Sequence, residues 1–388
     1  MSRIQYPIQD LVPGIWLTEF GKSDFFTYNP SILRYNGQNI MAYRVSTRHY
    51  GLNQSATCLL DDQWRLIPDS PRPLFDPQSP ECPEHAEDVR LFEHEGSLWA
   101  IFNDSKRPNL LYLAQIDPVS RQAAGHPRPL ILNERNILEK NWMPFSHAGQ
   151  LWVLYSICPH TILSLDLNHP HAVRCERVSA IDWDDEGIGQ HFGPWHGGNA
   201  PTLHDGLFWV FPHMVAQTSF LGDLTAPLRK WVKRHKKSAP VTFENGDVRP
   251  QQQPFAEWFP YQTHLPAHKI WLARLKRHFL FRHYVLGVYA FESSPPFTPR
   301  VFSYRPILRA SQEQAQHREP LVLDRPQVVF AAGAIIQADG AWQVSYGLHD
   351  DFCIIRTFSP EDLLRHCRPI KVLKSNDFHN SKTPSASL

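Results

Sequence analysis

The stretch Glu139-Lys140-Asn141-Trp142-Met143-Pro144-Phe145 sets a charged pair, an amide and an indole directly ahead of an apolar run, Leu151-Trp152-Val153-Leu154-Tyr155. A short turn, His147-Ala148-Gly149, separates the two. The layout is a polar cluster, a short strand, a Gly turn and an apolar strand. A buried strand start carries Glu, Lys and Asn together only when they are paired or used. The layout recurs along the chain. Asn29-Pro30, Ser31-Ile32-Leu33, the turn Tyr35-Asn36-Gly37 and Ile40-Met41-Ala42-Tyr43-Arg44 form one copy, and Asn-Gly between apolar runs is a strong hairpin signal. Glu87-Asp88-Val89-Arg90, Leu91-Phe92, His94-Glu95-Gly96 and Leu98-Trp99-Ala100-Ile101-Phe102 form a second. Gly197-Gly198-Asn199-Ala200-Pro201 opens a fourth, which turns at Asp205-Gly206 before Leu207-Phe208-Trp209-Val210-Phe211. The last copy runs from Val328-Val329-Phe330 through Asp339-Gly340 to Trp342-Gln343-Val344-Ser345-Tyr346-Gly347.

The turn glycines stand at 37, 96, 149, 206 and 340, the first four 53 to 59 residues apart. The last gap spans about two periods plus an insertion, with one strand-like piece, Tyr284-Val285-Leu286-Gly287-Val288-Tyr289-Ala290-Phe291. A hairpin repeat of this length without helical periodicity predicts an all-β chain, a five-bladed β-propeller, as a single domain over residues 1–374. A pair of β-sandwiches is the alternative. Ile15-Trp16-Leu17 is expected to form an edge strand ahead of the first copy. An insertion at about 217–283 differs in composition, with the basic run Arg229-Lys230-Trp231-Val232-Lys233-Arg234-His235-Lys236-Lys237 and a helical pattern over Ile270-Trp271-Leu272-Ala273-Arg274-Leu275-Lys276-Arg277. Such a run is normally a solvated face; otherwise it suits a membrane surface or a polyanionic partner. The tail 375–388, rich in Ser, Asn and Lys, is expected to be disordered.

Composition excludes several classes. A net charge of +1 over 388 residues argues against a dedicated nucleic-acid protein. The 34 prolines favour short strands and irregular loops over long helices. Six cysteines lie far apart with no Cys-x-x-Cys pair, so free buried thiols are expected rather than a zinc or redox motif. Met1-Ser2-Arg3-Ile4-Gln5-Tyr6-Pro7 has no apolar signal region and no run of about 18 apolar residues follows, so a cytoplasmic enzyme is the default expectation.

In a propeller the polar openings of the first strands converge on the axis. Asn29, Asp88, Arg90, Lys140, Asn141 and the Gly197-Gly198 turn would then share one pocket with Asp350, which ends Tyr346-Gly347-Leu348-His349-Asp350. A carboxylate among fixed cations suits an anionic substrate such as phosphate. Cations nearby keep a carboxylate ionised, whereas an acid needs its pKa raised by burial. Trp142, Trp195, Tyr155 and Tyr289 are candidate sugar-stacking aromatics. The competing account makes Glu87–Arg90 and Glu139–Lys140 structural ion pairs between blades. Neither a metal-ligand spacing nor a Gly-x-Ser-x-Gly elbow, Walker loop or dinucleotide fingerprint is present.

Taken in order, these motifs resemble the β-mannoside phosphorylases, five-bladed propellers grouped with the glycoside hydrolases. The Glu-Lys-Asn-Trp stretch is closest to a branch containing β-1,2-mannosyltransferase-like proteins, and the resemblance covers about residues 25–357. It implies Asp88 as general acid, Arg90 and Lys140 beside a phosphate or sugar phosphate, and Asn29, Arg44 and Asp350 around the sugar whose bond is made or broken. It also implies inversion at the anomeric carbon and no cofactor, with inorganic phosphate or a sugar phosphate as co-substrate and an oligosaccharide as partner. The chain departs from the family at Val89, where the family has Pro, and at Tyr155-Ser156, where it has His-Arg. Arg107 is the candidate for the family's further phosphate Arg, and His160 or His213 the candidate replacement for its His. The departures leave phosphorolysis and mannosyl transfer both open. An inverting glycosidase, with Glu87 or Asp351 as base, and a non-catalytic glycan-binding propeller are the remaining alternatives.

Overall fold

Strand β1 (Arg3–Gln5) opens the chain, followed by two short helices, α1 (Ile8–Leu11) and α2 (Gly14–Phe20). The structure, a computed structural model, describes residues 2–21, 23–48, 50–106, 109–133, 139–218, 240–242, 248–250, 281–313 and 327–373. Helix α2 replaces the edge strand expected at Ile15-Trp16-Leu17. Pro13 stands just before its first turn, where a fixed φ and a missing N–H do no harm, and the Trp16 and Leu17 amides return to its carbonyl at 3.0 and 3.2 Å.

The first sheet is antiparallel: β2 (Phe25–Tyr35), β3 (Gln38–Thr47), β4 (Asn53–Leu60) and β5 (Arg72–Pro73). The second unit is β6 (Glu87–His94), β7 (Ser97–Asn103), β8 (Leu111–Ile116) and β9 (Arg128–Ile131). The third is β10 (Met143–His147), β11 (Gln150–Ser156), β12 (His160–Asp166) and β13 (Val173–Ile181). Outer strands β9 and β13 pair in parallel at Leu130 and Val173, which merges these two units into one sheet. There follow β14 (Trp183–Asp184), α3 (Ile188–Phe192), β15 (Trp195–His196), β16 (Thr202–His204), β17 (Leu207–Val210) and β18 (His213–Thr218). Next come a small hairpin, β19 (Pro240–Thr242) with β20 (Val248–Pro250), then β21 (Phe281–Leu286), β22 (Tyr289–Glu292), β23 (Pro299–Ser303) and β24 (Leu308–Arg309). The final unit is β25 (Val329–Ile336), β26 (Trp342–Leu348) and β27 (Phe352–Phe358), with β1 as its outer strand. Helix α4 (Pro360–Leu364), β28 (Cys367–Pro369) and β29 (Lys371–Val372) end the described chain.

The hairpin turns behave as their sequences require. In Asn36-Gly37, Glu95-Gly96, Ala148-Gly149 and Asp205-Gly206 both residues have positive φ, and the flanking pairs (Tyr35–Gln38, His94–Ser97, His147–Gln150, His204–Leu207) close two-residue loops. That conformation matches the right-handed strand twist, and Gly at the second position adopts it freely. The last turn differs: Ile336 pairs with Trp342, so Gly340 sits in a five-residue loop. The piece at 284–291 is two strands rather than one. Its halves, β21 and β22, join different sheets, β15-β18-β21-β24 and β16-β17-β22-β23-β28. Gly287 stands between them, where a Cβ would lie 2.8 Å from Ser303 Oγ.

Apolar clusters lie between successive units. Tyr35 and Ile40 pack with Val89 and Leu91; Phe92 and Ile101 with Trp142 and Val153; Phe145 and Leu154 with Phe208 and Phe291. Another joins Trp209 and Phe211 to Trp342, and Ile32 and Met41 to Val344 and Ile354. The strands that start the hairpin units, β2, β6, β10, β16 and β25, all line one cavity of about 490 Å³. Among the described residues no helix is long and apolar enough to cross a membrane. Cys58, Cys175 and Cys353 are buried thiols, while Cys158 is exposed. The basic run 229–237, the helical pattern 270–277, Arg107 and the tail 375–388 lie outside the described residues. The strands on either side of the insertion pair with each other, Thr218 opposite Phe281.

Candidate active site

Within or just ahead of its first strand each of three units carries a residue in the left-handed region: Asn29 (φ 53°) in β2, Asp88 (φ 55°) in β6 and Asn141 (φ 63°) before β10. In β2 and β6 a register shift accompanies it, between Tyr28 and Ser31 and between Glu87 and Arg90. Such a bulge adds one residue to a strand and re-aims its side chain, and Asn and Asp tolerate this backbone better than other side chains do. The two bulges bring Asn29 and Asp88 face to face.

Asn29 Nδ2 donates to Asp88 Oδ1 at 2.7 Å, and Arg44 Nη1 lies 3.6 Å from the same oxygen. Among the described residues no hydrogen bond reaches Asp88 Oδ2. The fit at Asn29 depends on Gly347, because a Cβ there would stand 2.1 Å from Asn29 Oδ1. Arg44 is held on every side. Its Nε donates to Asn53 (2.7 Å), its Nη2 to Glu87 (2.7 Å), and its guanidinium covers the Tyr28 ring at 5.0 Å and the Tyr50 ring at 5.8 Å. Burial works against its charge, but Glu87, Tyr28 and Asp88 outweigh that and hold it firmly cationic.

Glu87, adjacent in sequence, is 4% exposed. Its Oε1 accepts from Arg44, Asn53 (3.0 Å) and Ser105, and its Oε2 from Lys140 Nζ at 3.2 Å. Burial pushes its pKa up, yet Arg44, Lys140, Ser105 and Asn53 together hold it well below the usual carboxylate range. Arg90 is buried and spans units: Nε donates to the Gly198 carbonyl (2.5 Å), Nη1 to the Asp88 carbonyl (3.1 Å) and Nη2 to Asn141 Oδ1 (3.1 Å). Burial among these neutral acceptors draws its pKa down to about 10, against the pull of Asp88. Gly197 is required beside it, since a Cβ there would fall 2.0 Å from the Asn141 carbonyl.

The ion pairs expected within the motifs are therefore exchanged. Glu87 pairs with Lys140 and Arg44 rather than with Arg90. Glu139 binds Trp142 Nε1 (3.1 Å), Tyr155 Oη (2.9 Å) and the Asn109 side chain, which donates to its carbonyl.

Asn29, Arg44, Asp88, Arg90, Asn141 and Gly198 thus meet directly, and Lys140 joins them through Glu87. His213 borders the group: its Nδ1 faces the Gly197 carbonyl at 2.8 Å, and its ring packs on Phe330, the ring that Arg90 also covers. Burial, then His196 and Arg90, keep it neutral, with a pKa well below the ordinary histidine value. Asp350 (φ 56°) lies in the turn after β26 and acts on Tyr28, which Arg44 covers. Other candidates lie apart. Trp142 is 2% exposed and packs edge-on against half-buried Tyr155. His160 is fully buried against Tyr289, whose hydroxyl is 2.6 Å from His160 Nδ1, and burial lowers its pKa to about 3. Trp195 Nε1 is bound to Asp185 (3.1 Å). The buried rings of Trp142, His160, Trp195 and Tyr289 offer no open face for a sugar.

A half-buried aromatic, Tyr50 (φ 53°), stands next to Arg44. Nothing in the local sequence marked it, because it belongs to the loop between β3 and β4. Asn53, the first residue of β4, and Ser105, just past β7, were missed because they lie outside the repeated polar openings. Among the described residues no group of His, Cys, Asp and Glu side chains is placed to hold a metal ion.

No protein-family model matches the sequence, and neither does any curated protein. Solved structures do match. The β-1,2-mannobiose phosphorylase of Listeria innocua, in complex with β-1,2-mannobiose, superposes with a TM-score of 0.54 at 12% identity over 94% of this chain and 99% of its own. The GDP-Man-dependent mannosyltransferase MPT-1 of Leishmania mexicana gives 0.48 at 12% identity over 86% of both chains. The mannose phosphorylase MPT-4 of Leishmania mexicana, in complex with phosphate ion, gives 0.44 at 14% identity over 91% and 89%. The likeness is one of fold. The chain has the mostly β, propeller-type architecture of a mannoside phosphorylase, and it spans the whole length of that neighbour.

Proposed function

We propose that this chain is a five-bladed propeller enzyme that makes or breaks β-mannoside-type linkages with inversion, by phosphorolysis or by mannosyl transfer, with Asp88 as general acid and base. Five first strands around one cavity support the blade count. The chemistry rests on one observation: Asp88 is fixed through Oδ1 by Asn29, with Arg44 beyond, and carries no hydrogen bond on Oδ2 among the described residues.

In bond breaking the Asp88 proton passes to the glycosidic oxygen as that bond leaves the anomeric carbon. An anionic oxygen, from phosphate, attacks the opposite face, drawn by Lys140 and Arg90. In synthesis the acceptor hydroxyl oxygen attacks the anomeric carbon, phosphate leaves from a sugar phosphate or the nucleoside diphosphate from a nucleotide sugar, and Asp88 takes the hydroxyl proton. Phosphate needs no second carboxylate as base. The hydrolytic alternative requires one, and Glu87 suits that role poorly because both of its oxygens already accept from cations.

The test is a donor screen with purified protein. Mannose 1-phosphate and GDP-mannose are offered with mannosyl acceptors, and β-1,2-mannobiose with inorganic phosphate, while phosphate, nucleotide and free sugar are scored together. Turnover of one donor with an inverted product, abolished by Asp88→Asn, is expected. Free sugar released without phosphate would favour hydrolysis; glycan binding that survives Asp88→Asn, with no turnover, would favour the non-catalytic reading.

A further inference from the structure

Each oxygen of the Glu87 carboxylate meets a cation from a different unit. Oε1 accepts from Arg44 Nη2 of β3 at 2.7 Å, and Oε2 from Lys140 Nζ, ahead of β10, at 3.2 Å. Asn53 of β4 and Ser105, just past β7, secure Oε1 from two further directions. The same Arg44 guanidinium sends Nη1 toward Asp88 Oδ1, but only to 3.6 Å. One cation is therefore divided between two neighbouring carboxylates, and Glu87 has the shorter contact. Among the described residues these are the carboxylates in ion-pair contact with Arg44.

Building on the glycosyl-transfer role given to Asp88, we propose that Glu87 is a positioning residue. It draws Arg44 away from Asp88, and it fixes Lys140, 39% exposed, beside the site. Removing its charge leaves Arg44 with Asp88 as its counter-ion. The guanidinium then closes on Asp88, and a carboxylate paired with Arg gives up its proton at lower pH. Lys140 loses the contact that aims its ammonium.

The charged and titratable groups facing this pair come from every neighbouring element. They are Tyr28 of β2, Arg44 of β3, Tyr50 in the loop after it, His85 ahead of β6, Arg90 of β6, Lys140 ahead of β10 and Asp350 in the turn after β26, which acts on Tyr28. None of these replaces Glu87. The tyrosines and His85 present no carboxylate, and the carboxylate of Asp350 is not in ion-pair contact with Arg44 among the described residues.

The experiment compares wild type, Glu87→Gln and Glu87→Asp across pH on whichever pair the wild type turns over, β-1,2-mannobiose with inorganic phosphate or GDP-mannose with mannose. In Glu87→Gln, kcat is expected to fall roughly a hundredfold, as for a catalytic group misplaced by about 1 Å. KM should change less, and the alkaline limb of kcat/KM should move down by about one pH unit. Glu87→Asp should return the limb toward its original position. A loss of rate with the limb unmoved would make Glu87 structural and overturn the proposal. If Glu87→Gln does not fold, Ser105→Ala loosens the carboxylate without removing its charge, and must shift the limb in the same direction by less. A wild type that turns over neither pair defeats the glycosyl-transfer reading instead. Labelling of Lys140 by acetic anhydride, mapped by mass spectrometry, then tests the pair without any substrate. Faster labelling when Glu87 or Ser105 is changed supports the positioning role; equal labelling refutes it.

Discussion

Asp88 holds a left-handed backbone conformation (φ 55°) that costs a non-glycine residue on the order of 1 kcal/mol. Asn tolerates the same conformation, so Asp88→Asn should fold as the wild type does and lose only its proton. Activity is expected to drop by about 10²–10⁴-fold, the range for a general acid, with an unchanged thermal midpoint by calorimetry. Gly347→Ala addresses the same carboxylate from the other side. Its methyl group would push Asn29 Oδ1 aside and release Asp88 Oδ1, so a comparable loss is expected without any change to an ionisable group. Glu87 contributes to stability against acid. Its pKa is held below the unfolded value of about 4.3, so it stabilises the fold above that value, and the contribution fades as pH falls through and below it. Glu87→Gln, which leaves Arg44 buried without its closest counter-charge, should cost about 3–5 kcal/mol at neutral pH. The gap to wild type should narrow on acidification, as read by urea unfolding between about pH 3.5 and pH 7. A constant gap would show that the carboxylate's charge is not what stabilises.

At the scale of the element, the hairpins were legible because turn chemistry is local. Asn36-Gly37 and Asp205-Gly206 name their own turn type, and Glu95-Gly96 and Ala148-Gly149 follow by the same placement of Gly. The partners of the polar openings were not legible. Glu87 and Arg90 are close in sequence, but residues on a bulged strand face different directions, so their partners come from β3, from the segment before β10 and from the Gly198 carbonyl. Helix α2 was missed because three apolar residues, Ile15-Trp16-Leu17, suit either period. Trp142 belongs to the same class of error. An indole beside a charged motif suggests a sugar platform, yet its N–H is bound to Glu139 and its ring fills the core between the second and third units. Trp142→Phe should therefore leave KM unaltered. It should lower stability by about 1–3 kcal/mol, because a buried carboxylate oxygen loses its donor. A rise in KM with stability intact would return Trp142 to the substrate.

At the scale of the molecule, both ends of the described chain reach beyond the unit nearest to them in sequence. Strand β1 is the outer strand of the last sheet, with Arg3, Ile4 and Gln5 opposite Arg356, Ile355 and Ile354. After β27 the chain crosses to β23 through Cys367–Pro369 and then to β14 through Lys371–Val372. The third, fourth and last units are thus tied by strands remote in sequence, which no hydrophobic period could reveal. Arg3 adds an ion pair to Glu313, which also binds Arg356 at 2.6 Å and the Tyr346 hydroxyl at 3.0 Å. Deleting residues 2–5 would uncover the edge of β27 and leave Glu313 with one cation fewer. The expected result is a thermal midpoint several degrees lower, with faster amide exchange concentrated in Ile354–Arg356 while the β2–β3 and β6–β7 ladders keep their protection. Uniform acceleration across all sheets would instead mean that β1 secures the global fold, since every unit would then open together once that strand is gone.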